Sequence, residues 1–266
     1  MTGFNFAHFF LIMVCISFCS LNVNGLRNDA KRRQIFSLLN DQNLDIVLLQ
    51  ETHICNFSEA RAWALEFGGK GFWSFGSSLS CGTGILLSNK RHVWETVDFH
   101  HDSNGRAASV TVKSPSLSGP IRIINVYAPT DSHDRKRFFL DELPLHCRGM
   151  KNTILAGDFN CIPDLMMDSK TGAQNYNHSQ GIQELSQTIH SLGLVDAWRI
   201  QNPQTHRFTW HNKRNFSVSR IDRIYKSSLL SAVSRNDILA CPFSDHDLVV
   251  AFLDSSKNIR GKVTGN

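Results

Sequence analysis

The chain has 266 residues, 41% of them hydrophobic and 10% aromatic, which is enough to bury the core of one enzyme-sized domain. Lysine and arginine number 28 against 23 for aspartate and glutamate, so the net charge is +5 and the pI is near 8.9. This mild excess favours polyanionic partners, but the composition excludes a basic tail and does not by itself identify nucleic acid as the partner.

The first apolar run, residues 9–20, resembles the hydrophobic part of a secretory signal. It is short for a membrane span, no lysine or arginine precedes it, and cleavage after it would leave Asn22 almost at the new terminus. The seven cysteines are odd in number and form no Cys-x-x-Cys pair, which indicates reduced structural thiols. We therefore expect a protein of the nucleus or cytoplasm without a membrane anchor, with secretion as the alternative. Residues 1–17 are then an apolar extension or the start of the first strand.

Apolar periodicity, with glycine and proline breaks, predicts the remaining elements. In chain order they are a strand at 16–23, a helix at 29–39, a strand at 46–50, a helix at 58–67, strands at 82–88, 107–113 and 121–127, a helix at 135–145, a strand at 153–156, a helix at 181–192, and strands at 208–210, 219–225 and 248–253. Ser58 is the predicted cap of the second helix, and Gly68, Gly69 and Gly71 predict a loop after it.

These elements predict an α/β fold in which two β-sheets pack as a sandwich flanked by helices, because strands and helices mix without regular βαβ alternation. Segment 114–120 lies between two β-rich stretches and predicts the turn of a hairpin. No internal repeat or linker interrupts residues 18–254, which we expect to form one domain, and residues 255–266 are a polar tail.

Oxygen-bearing side chains follow the first two predicted strands. Asn22 and Asn24 lie at the end of the first strand, and Glu51 follows the second. If the two strands are neighbours, these oxygens meet at the rim of the sheet, where they suit a Mg²⁺ ion that keeps several waters. Taken singly, Asn24 before Gly25 also fits an ordinary turn, and Glu51 fits a helix cap.

Asp158 and Asn160 lie on either side of Phe159, after another buried strand. In an extended segment both polar side chains face the same way while the aromatic ring anchors the core. A carboxylate beside an amide can polarise and aim a water molecule. The alternative is an Asx-turn that closes the strand.

A histidine with acidic neighbours provides the third candidate group. His246 adjoins Asp245, and Asp222 closes an earlier strand, so Asp222 can orient the imidazole and hold it protonated toward a developing phosphorane charge. Tyr127 can donate a hydrogen bond to a phosphate oxygen or simply pack beside Pro129. The chain has 12 histidines, and a histidine taken at random is more often structural than catalytic.

Cations near these segments are candidates for phosphate contacts, although charge runs are usually solvated. They are Lys31, Arg32, Arg33, Lys213 and Arg214. Segment 211–218 reads as a hairpin loop with two cations, two amides and Phe216, which can enter a minor groove and favour deformable sequences. The alternative is a polar turn with Phe216 folded onto the core.

Six motifs occur in a fixed order along the chain. They are Leu-Asn-x-Asn-Gly-Leu-Arg, Leu-Gln-Glu-Thr-His, Asn-x-Tyr-Ala-Pro, Gly-Asp-Phe-Asn, Arg-Ile-Asp and Ser-Asp-His-Asp. This order resembles the endonuclease/exonuclease/phosphatase superfamily. Within it, residues 18–253 are most similar to the apurinic-type endonuclease domain of LINE-type (non-LTR) retrotransposons. The resemblance implies a four-layer DNase I-like fold.

The resemblance also implies a role for each candidate residue. Asn22, Asn24, Glu51 and Asp245 would hold the metal, and Tyr127 would contact the scissile phosphate. Asp158 would activate water, Asn160 would position it, and Asp222 would support His246, which stabilises the transition state. The DNA-binding residues would be Arg106, Thr209, Lys213 and Arg214.

The resulting expectation is a monomeric, Mg²⁺-dependent endonuclease, with Mn²⁺ as a possible substitute, that nicks double-stranded DNA and leaves 3′-hydroxyl and 5′-phosphate ends. Two alternatives remain open. One is an abasic-site endonuclease or 3′-exonuclease of DNA repair, although such enzymes usually carry Asp at the position of Asn24. The other is a degenerate, non-catalytic DNA-binding copy of a retrotransposon domain.

Overall fold

The computed structural model describes residues 15–149, 151–170, 180–214, 216–230 and 233–254. The strands are β1 Cys15–Asn22, β2 Ile46–Gln50, β3 Gly69–Ser74, β4 Thr83–Ser88, β5 Glu95–His101, β6 Ala107–Lys113, β7 Ile121–Tyr127, β8 Thr153–Asp158, β9 Leu194–Asp196, β10 Trp210–His211, β11 Val218–Ser219, β12 Asp222–Ser227, β13 Val233–Leu239 and β14 Leu248–Asp254. The helices are α1 Asp29–Asp41, α2 Phe57–Phe67, α3 Ser132–Arg137, α4 Leu143–His146, α5 Ile182–Ser191 and α6 Ala197–Gln201, and a π-helical turn, Phe138–Glu142, joins α3 to α4.

Twelve of these strands form two six-stranded sheets that pack face to face. Their orders are β13-β14-β1-β2-β4-β3 and β5-β6-β7-β8-β12-β9, and β10 pairs with β11 in a separate hairpin. One apolar core, containing Phe18, Leu48 and Ile123, lies between the sheets. A second core lies between the first sheet and helices α1 and α2, and a third lies between the second sheet and segment 132–146 with α5. The predicted two-sheet sandwich flanked by helices is confirmed.

The strands at the centre of the first sheet are apolar throughout because both of their faces are covered. Every residue of β2 is buried, and β1 is buried from Ile16 onward. The two strands run parallel, so their carboxyl ends lie at the same edge of the sheet. In the second sheet β7 and β8 are also parallel and end at that edge, at Tyr127 and Asp158. This shared edge brings four of the six motifs together.

Several predicted elements need correction. The glycines after α2 do not form a loop: Gly69 and Gly71 belong to β3, where a Cβ atom on Gly69 would lie 2.2 Å from the Leu87 carbonyl oxygen. Glycine therefore permits close strand pairing here. The cap of α2 is Asn56, whose side chain accepts from the Glu59 backbone, and not Ser58.

Strands β5, β9 and β13 were absent from the sequence prediction because their residues are too polar or their span is too short to give a period-two apolar pattern. The predicted strand at 219–225 is split between β11 and β12. Most of the apolar extension 1–17, and the polar tail 255–266, lie outside the described residues. No helix in the described part of the chain is long and apolar enough to cross a membrane.

A buried amide joins the two sheets just below the shared edge. Asn125 of β7 donates to the carbonyl oxygens of Leu49 (2.9 Å) and Gly84 (2.8 Å) in the first sheet. Its side-chain oxygen accepts a hydrogen bond of 2.7 Å from Gln50 Nε2. Because Gln50 precedes Glu51 and Asn125 precedes Tyr127 by two residues, this contact fixes the spacing between two functional segments.

We predict that Asn125→Ala lowers the free energy of unfolding by about 2–4 kcal/mol, because it removes three buried hydrogen bonds that join the two sheets. Urea unfolding followed by circular dichroism measures the change. Asn104→Ala, at an exposed position, is the matched control and should change stability by less than about 0.5 kcal/mol. Equal stability of the two variants would show that the cross-sheet amide is dispensable.

Candidate active site

The turn after β2 places Glu51 at the shared edge. Glu51 has φ +51° and His53 has φ +58°, so the turn uses left-handed conformations that non-glycine residues adopt only when the surroundings hold them. Backbone hydrogen bonds from Gly25 to Glu51 (2.7 Å) and from Thr52 to Gly82 (2.9 Å) provide that support. Glu51 is therefore not a helix cap; its position is set by two neighbouring segments.

Asn22 links two carboxylates across the interface between the sheets. Its fully buried amide donates to Glu51 Oε1 at 2.7 Å and to Asp158 Oδ2 at 3.0 Å. Its own oxygen accepts from the Asn24 backbone at 3.0 Å. One side chain of β1 thus sets the separation between Glu51 in the first sheet and Asp158 in the second.

Asp245 lies on the other side of Asn24. It accepts from the Asn24 amide at 3.1 Å and from the Trp210 indole at 3.2 Å. Burial alone would raise the pKa of Asp245, but the charge of His246 and these two donors hold it below its usual value. Lys31 donates to the Asn24 carbonyl at 2.7 Å, which supports the left-handed turn at Asn24 (φ +46°).

Asp158, Asp222 and His246 form a buried group whose ligand-type atoms all lie within 4.8 Å of one another. His246 Nδ1 and Asp222 Oδ2 are 2.9 Å apart, and Asp222 pairs with Asp158 across β12 and β8. Burial would lower the pKa of His246, but the Asp222 carboxylate raises it to about 10. Burial and the charge of Asp222 raise the pKa of Asp158 to about 7, partly offset by His246. The imidazole is therefore protonated at neutral pH, and Asp158 can exchange a proton there.

Thr209 and two arginines hold the start of β12 in place. Thr209 Oγ1 accepts from the backbone of Ile221 and of Asp222, each at 3.1 Å. Arg220 pairs with Asp168 at 2.8 Å, and Arg223 donates to the Cys161 carbonyl at 2.8 Å. All three side chains are buried. The two arginines fix the segment after Asn160 against the strand that carries Asp222, and Thr209 fixes the start of that strand.

Asn160 both forms an Asx-turn and places its amide beside the Asp158 carboxylate, so the two interpretations of this motif are compatible. Its backbone donates to Asp158 Oδ1 at 2.9 Å, which is the Asx-turn, and its amide donates to the Ala128 carbonyl at 2.8 Å. Phe159 between them is fully buried against Tyr225, with ring centroids 5.2 Å apart. The turn therefore fixes the amide of Asn160 beside the carboxylate of Asp158.

Tyr127 faces Glu51 from the second sheet. Burial, the charges of Glu51 and Asp158, and a hydrogen bond to Glu51 raise its pKa well above the usual value, so its hydroxyl remains a donor. The Arg106 guanidinium lies 4.8 Å from the centre of the Tyr127 ring. Arg106 is thus at the rim of the cleft, next to the tyrosine.

Two predicted DNA contacts are wrong. Thr209 is fully buried and bonded to the backbone of β12, so it positions Asp222 and cannot reach DNA. Arg32 is also buried, where it pairs with Glu66 at 2.7 Å and donates to the Leu26 carbonyl. Lys213 and Arg214 are exposed in the hairpin, as a phosphate contact requires.

The base of the β10–β11 hairpin is joined to the buried group of Asp158, Asp222 and His246. Trp210 pairs with His246 in an isolated bridge, and the His211 backbone donates to the Asp245 carbonyl at 3.0 Å. Asn125 and Gln50 support the site, although the sequence analysis gave them no role; their places inside two of the six motifs were the signal that could have indicated them. Lys31, a predicted phosphate contact, donates to the Asn24 carbonyl.

The donor set fits a hard divalent cation. One hydrogen-bonded network joins four carboxylates to the protonated imidazole of His246. The carboxylates are those of Glu51, Asp158, Asp222 and Asp245. Their charge exceeds what one imidazolium neutralises, and oxygen ligands suit Mg²⁺ or Mn²⁺. The residues that could hold such an ion are Glu51, Asp245 and the amide oxygens of Asn22 and Asn24.

A protein-family model described as the Endonuclease/Exonuclease/phosphatase family matches residues 19–246. The transposon TX1 uncharacterized 149 kDa protein of Xenopus laevis is 34% identical over 242 residues, which are 89% of this chain and 18% of that protein. The chain thus spans under a fifth of the length of this curated relative.

Solved structures share the fold. The AP endonuclease of Leishmania major is similar with a TM-score of 0.72 and 19% identity, covering 90% of this chain and 88% of that one. The APE2 catalytic domain of Xenopus laevis has a TM-score of 0.72 and 21% identity, with 90% and 92% covered. The 3′ phosphatase NExo from Neisseria, bound to a product DNA hairpin, has a TM-score of 0.71 and 24% identity, with 90% and 99% covered.

We predict that Asp222→Asn lowers the pKa of His246 from about 10 by at least 2 pH units, because the buried imidazolium loses its counter-charge. The raised pKa contributes stability that is complete below about pH 6.5 and is lost as the pH rises toward 10. NMR titration of the imidazole protons in both proteins tests this. A His246 that titrates at the same pH in both would show that Asp222 does not hold its charge.

Proposed function

The chain belongs to the endonuclease/exonuclease/phosphatase family, and on that premise we propose that it is a Mg²⁺-dependent phosphodiesterase that nicks double-stranded DNA. The observation that carries the proposal is the buried Asp158, Asp222 and His246 group, joined through Asn22 to Glu51. It combines a proton acceptor, a fixed proton donor and a cluster of hard oxygens in one cleft.

The geometry supports a chemical role for each residue. Asp158, whose pKa is raised to about 7, accepts the proton of the attacking water, and Asn160 beside it orients that water. His246 stays protonated through Asp222 and donates to a non-bridging phosphate oxygen as negative charge develops. Tyr127 donates to the same phosphate from the opposite side of the cleft. The P–O bond to the 3′ oxygen breaks, that oxygen takes a proton from solvent water, and the products carry a 3′-hydroxyl and a 5′-phosphate.

Glu51, Asp245, Asn22 and Asn24 would hold Mg²⁺ or Mn²⁺, which when bound supplies Lewis-acid stabilisation of the phosphate charge. The ligand atoms are all oxygens, which disfavours zinc. In the described residues no Cys/His cluster offers an alternative zinc site.

DNA as the substrate is supported by the named relatives and by charge. The Neisseria 3′ phosphatase is bound to a DNA hairpin, and the Xenopus relative is a transposon protein. The net charge of this chain is +5. The transposon relative favours cleavage of a retrotransposon-type target site over the repair of abasic sites, since its 34% identity exceeds that of the AP endonucleases above.

Target choice is assigned to the hairpin tip. Phe216 is 85% exposed with φ +56°, so it is not folded onto the core. Lys213 and Arg214 lie on the same loop, and the β10–β11 ladder beneath has only two residue pairs. An exposed aromatic ring on the same loop as two cations suits a minor groove that deforms on binding.

We predict that Asp158→Ala, Glu51→Ala and His246→Ala each reduce nicking of supercoiled plasmid by about 10²-fold or more, because each removes a group that acts on the phosphate or its water. Gel assays with Mg²⁺, with EDTA and with an abasic duplex measure activity and preference. Circular dichroism should show an unchanged fold. Full activity in excess EDTA, or near wild-type nicking by Asp158→Ala, would contradict the mechanism, and a strong preference for abasic DNA would favour a repair enzyme.

We predict that replacing residues 212–217 by a short Gly-Ser turn changes the positions of nicks on a long duplex, because the side chains that sense groove width are lost. Metal-dependent nicking should remain measurable, since Asp158 and His246 are untouched. Sequencing the nick positions for both proteins is the measurement. An identical pattern of nicks would show that the loop is an ordinary polar turn with no role in target choice.

A further inference from the structure

A serine, a histidine and an aspartate lie in contact at the end of the sandwich opposite the shared edge. Ser116 lies in the turn between β6 and β7, His92 follows β4, and Asp45 precedes β2. Strands β2 and β7 begin at this end and lead to Glu51 and Tyr127, so the two sites are separated by the length of a strand. We call Ser116, His92 and Asp45 the distal triad. It belongs to none of the six motifs and has no part in the proposed nuclease.

The contacts of the distal triad lead from the serine to the carboxylate. Ser116 Oγ and His92 Nδ1 are 3.0 Å apart, and His92 Nε2 lies 3.4 Å from Asp45 Oδ1. The imidazole is almost fully buried, and Nε2 makes no aligned hydrogen bond among the described residues. Catalytic contacts of this kind are often long or poorly aligned before a substrate binds. A proton on Nε2 faces the carboxylate and leaves the lone pair of Nδ1 to accept the proton of the serine hydroxyl.

Asp45 is held in one orientation by its other partners. Its buried Oδ2 accepts from the backbone and from the hydroxyl of Ser17, each at 2.8 Å, and its Oδ1 accepts from Arg91 Nε at 2.9 Å. A carboxylate oxygen has two lone pairs, so Oδ1 can accept from Arg91 and from His92 together. Asp45 can therefore orient the imidazole, which is the role of the carboxylate in a catalytic triad.

A small apolar pocket lies beside the turn that carries Ser116. Leu117 and Ser118, the next two residues of the turn, line it together with apolar side chains of both sheets. Its volume is about 60 Å³, several times the ~10–15 Å³ that one water molecule needs, so it accommodates a chain of about two to four carbon atoms. Asn152 is in the wall, and a Cβ atom on Gly119 of the turn would lie 3.9 Å from its Nδ2. An amide donor at this position suits the oxygen of a carbonyl group.

We propose that the distal triad is a second catalytic centre, which hydrolyses esters of short-chain carboxylic acids. Ser116 Oγ attacks the ester carbonyl carbon and passes its proton to His92 Nδ1, while the Asn152 amide donates to the carbonyl oxygen. The bond from that carbon to the alcohol oxygen breaks, and the alcohol leaves with the proton from His92. Water then attacks the acyl-serine and passes a proton to His92, the bond from the carbon to Oγ breaks, and Ser116 recovers its proton as the acid is released.

The test is made in EDTA, so that metal-dependent nicking plays no part. The whole chain is treated with a fluorophosphonate probe, which reacts with activated serines, and peptide mass spectrometry identifies the labelled residue. We expect the label on Ser116, and a burst of about one p-nitrophenolate per chain from p-nitrophenyl butyrate, because the acyl-enzyme accumulates. p-Nitrophenyl octanoate, whose acyl chain exceeds the pocket, should react at least about tenfold more slowly.

Two variants test the distal triad, and a third is the matched control. Ser116→Ala should lose both the label and the burst. His92→Gln should lower the rates of labelling and of acylation by about 10²-fold or more, because the serine loses its base. Ser78→Ala, at an exposed serine of another loop, should retain both activities. Circular dichroism checks that each variant keeps the fold.

The outcomes decide the proposal independently of the nicking assays. An unlabelled Ser116 in the wild-type protein overturns the second catalytic centre, and so does a burst that persists in Ser116→Ala. Equal rates of labelling in the wild-type protein and in a folded His92→Gln variant also overturn it. A label on Ser116 that depends on His92, together with faster hydrolysis of the butyrate than of the octanoate, supports it.

Discussion

The confinement of negative charge in a buried cleft is the constraint on which this site depends. Asp158 and Asp222 face each other across two paired strands, and burial makes their joint ionisation costly. The fold offsets part of this cost with His246, whose proton is retained far above its usual range, and with the amide of Asn22. Burial, together with the charge of Asp222, raises the pKa of Asp158, and the remaining excess of carboxylate oxygens suits a divalent cation.

Such a cleft can be assembled only if the two sheets keep a fixed separation. The side-chain amides of Asn125 and Asn22 maintain this separation, because each hydrogen-bonds across the interface between the two sheets. The left-handed turns at Asn24, Glu51 and Asn160 then direct side chains from strand ends into the cleft. Strain at these positions is held by neighbouring backbone hydrogen bonds, which is the usual way that functional geometry is maintained.

The sequence predicted those parts of the site that follow from strand ends. Glu51 and Asp158 come directly after buried apolar runs, so their placement at one edge follows from the parallel pairing within each sheet and the packing of the two sheets face to face. Thr209 and Arg32 were misplaced because a polar side chain carries no local sign that its partners are backbone groups inside the protein. Strand β3 was missed for a related reason: its glycines serve close strand pairing, which depends on Leu87 and Trp73 rather than on the local sequence. Long-range contacts of this kind lie beyond any local pattern.

The attachment of the hairpin has an evolutionary consequence. Its base is fixed to the group of Asp158, Asp222 and His246 by the Trp210–His246 bridge and by the bond from His211 to Asp245, whereas Lys213, Arg214 and Phe216 are exposed on its loop. Insertions, deletions and substitutions at the tip can therefore accumulate without moving Asp222 or His246. Under the proposed function, related chains can therefore differ in the DNA sites they nick through changes in only a few codons while they keep the same group of Asp158, Asp222 and His246.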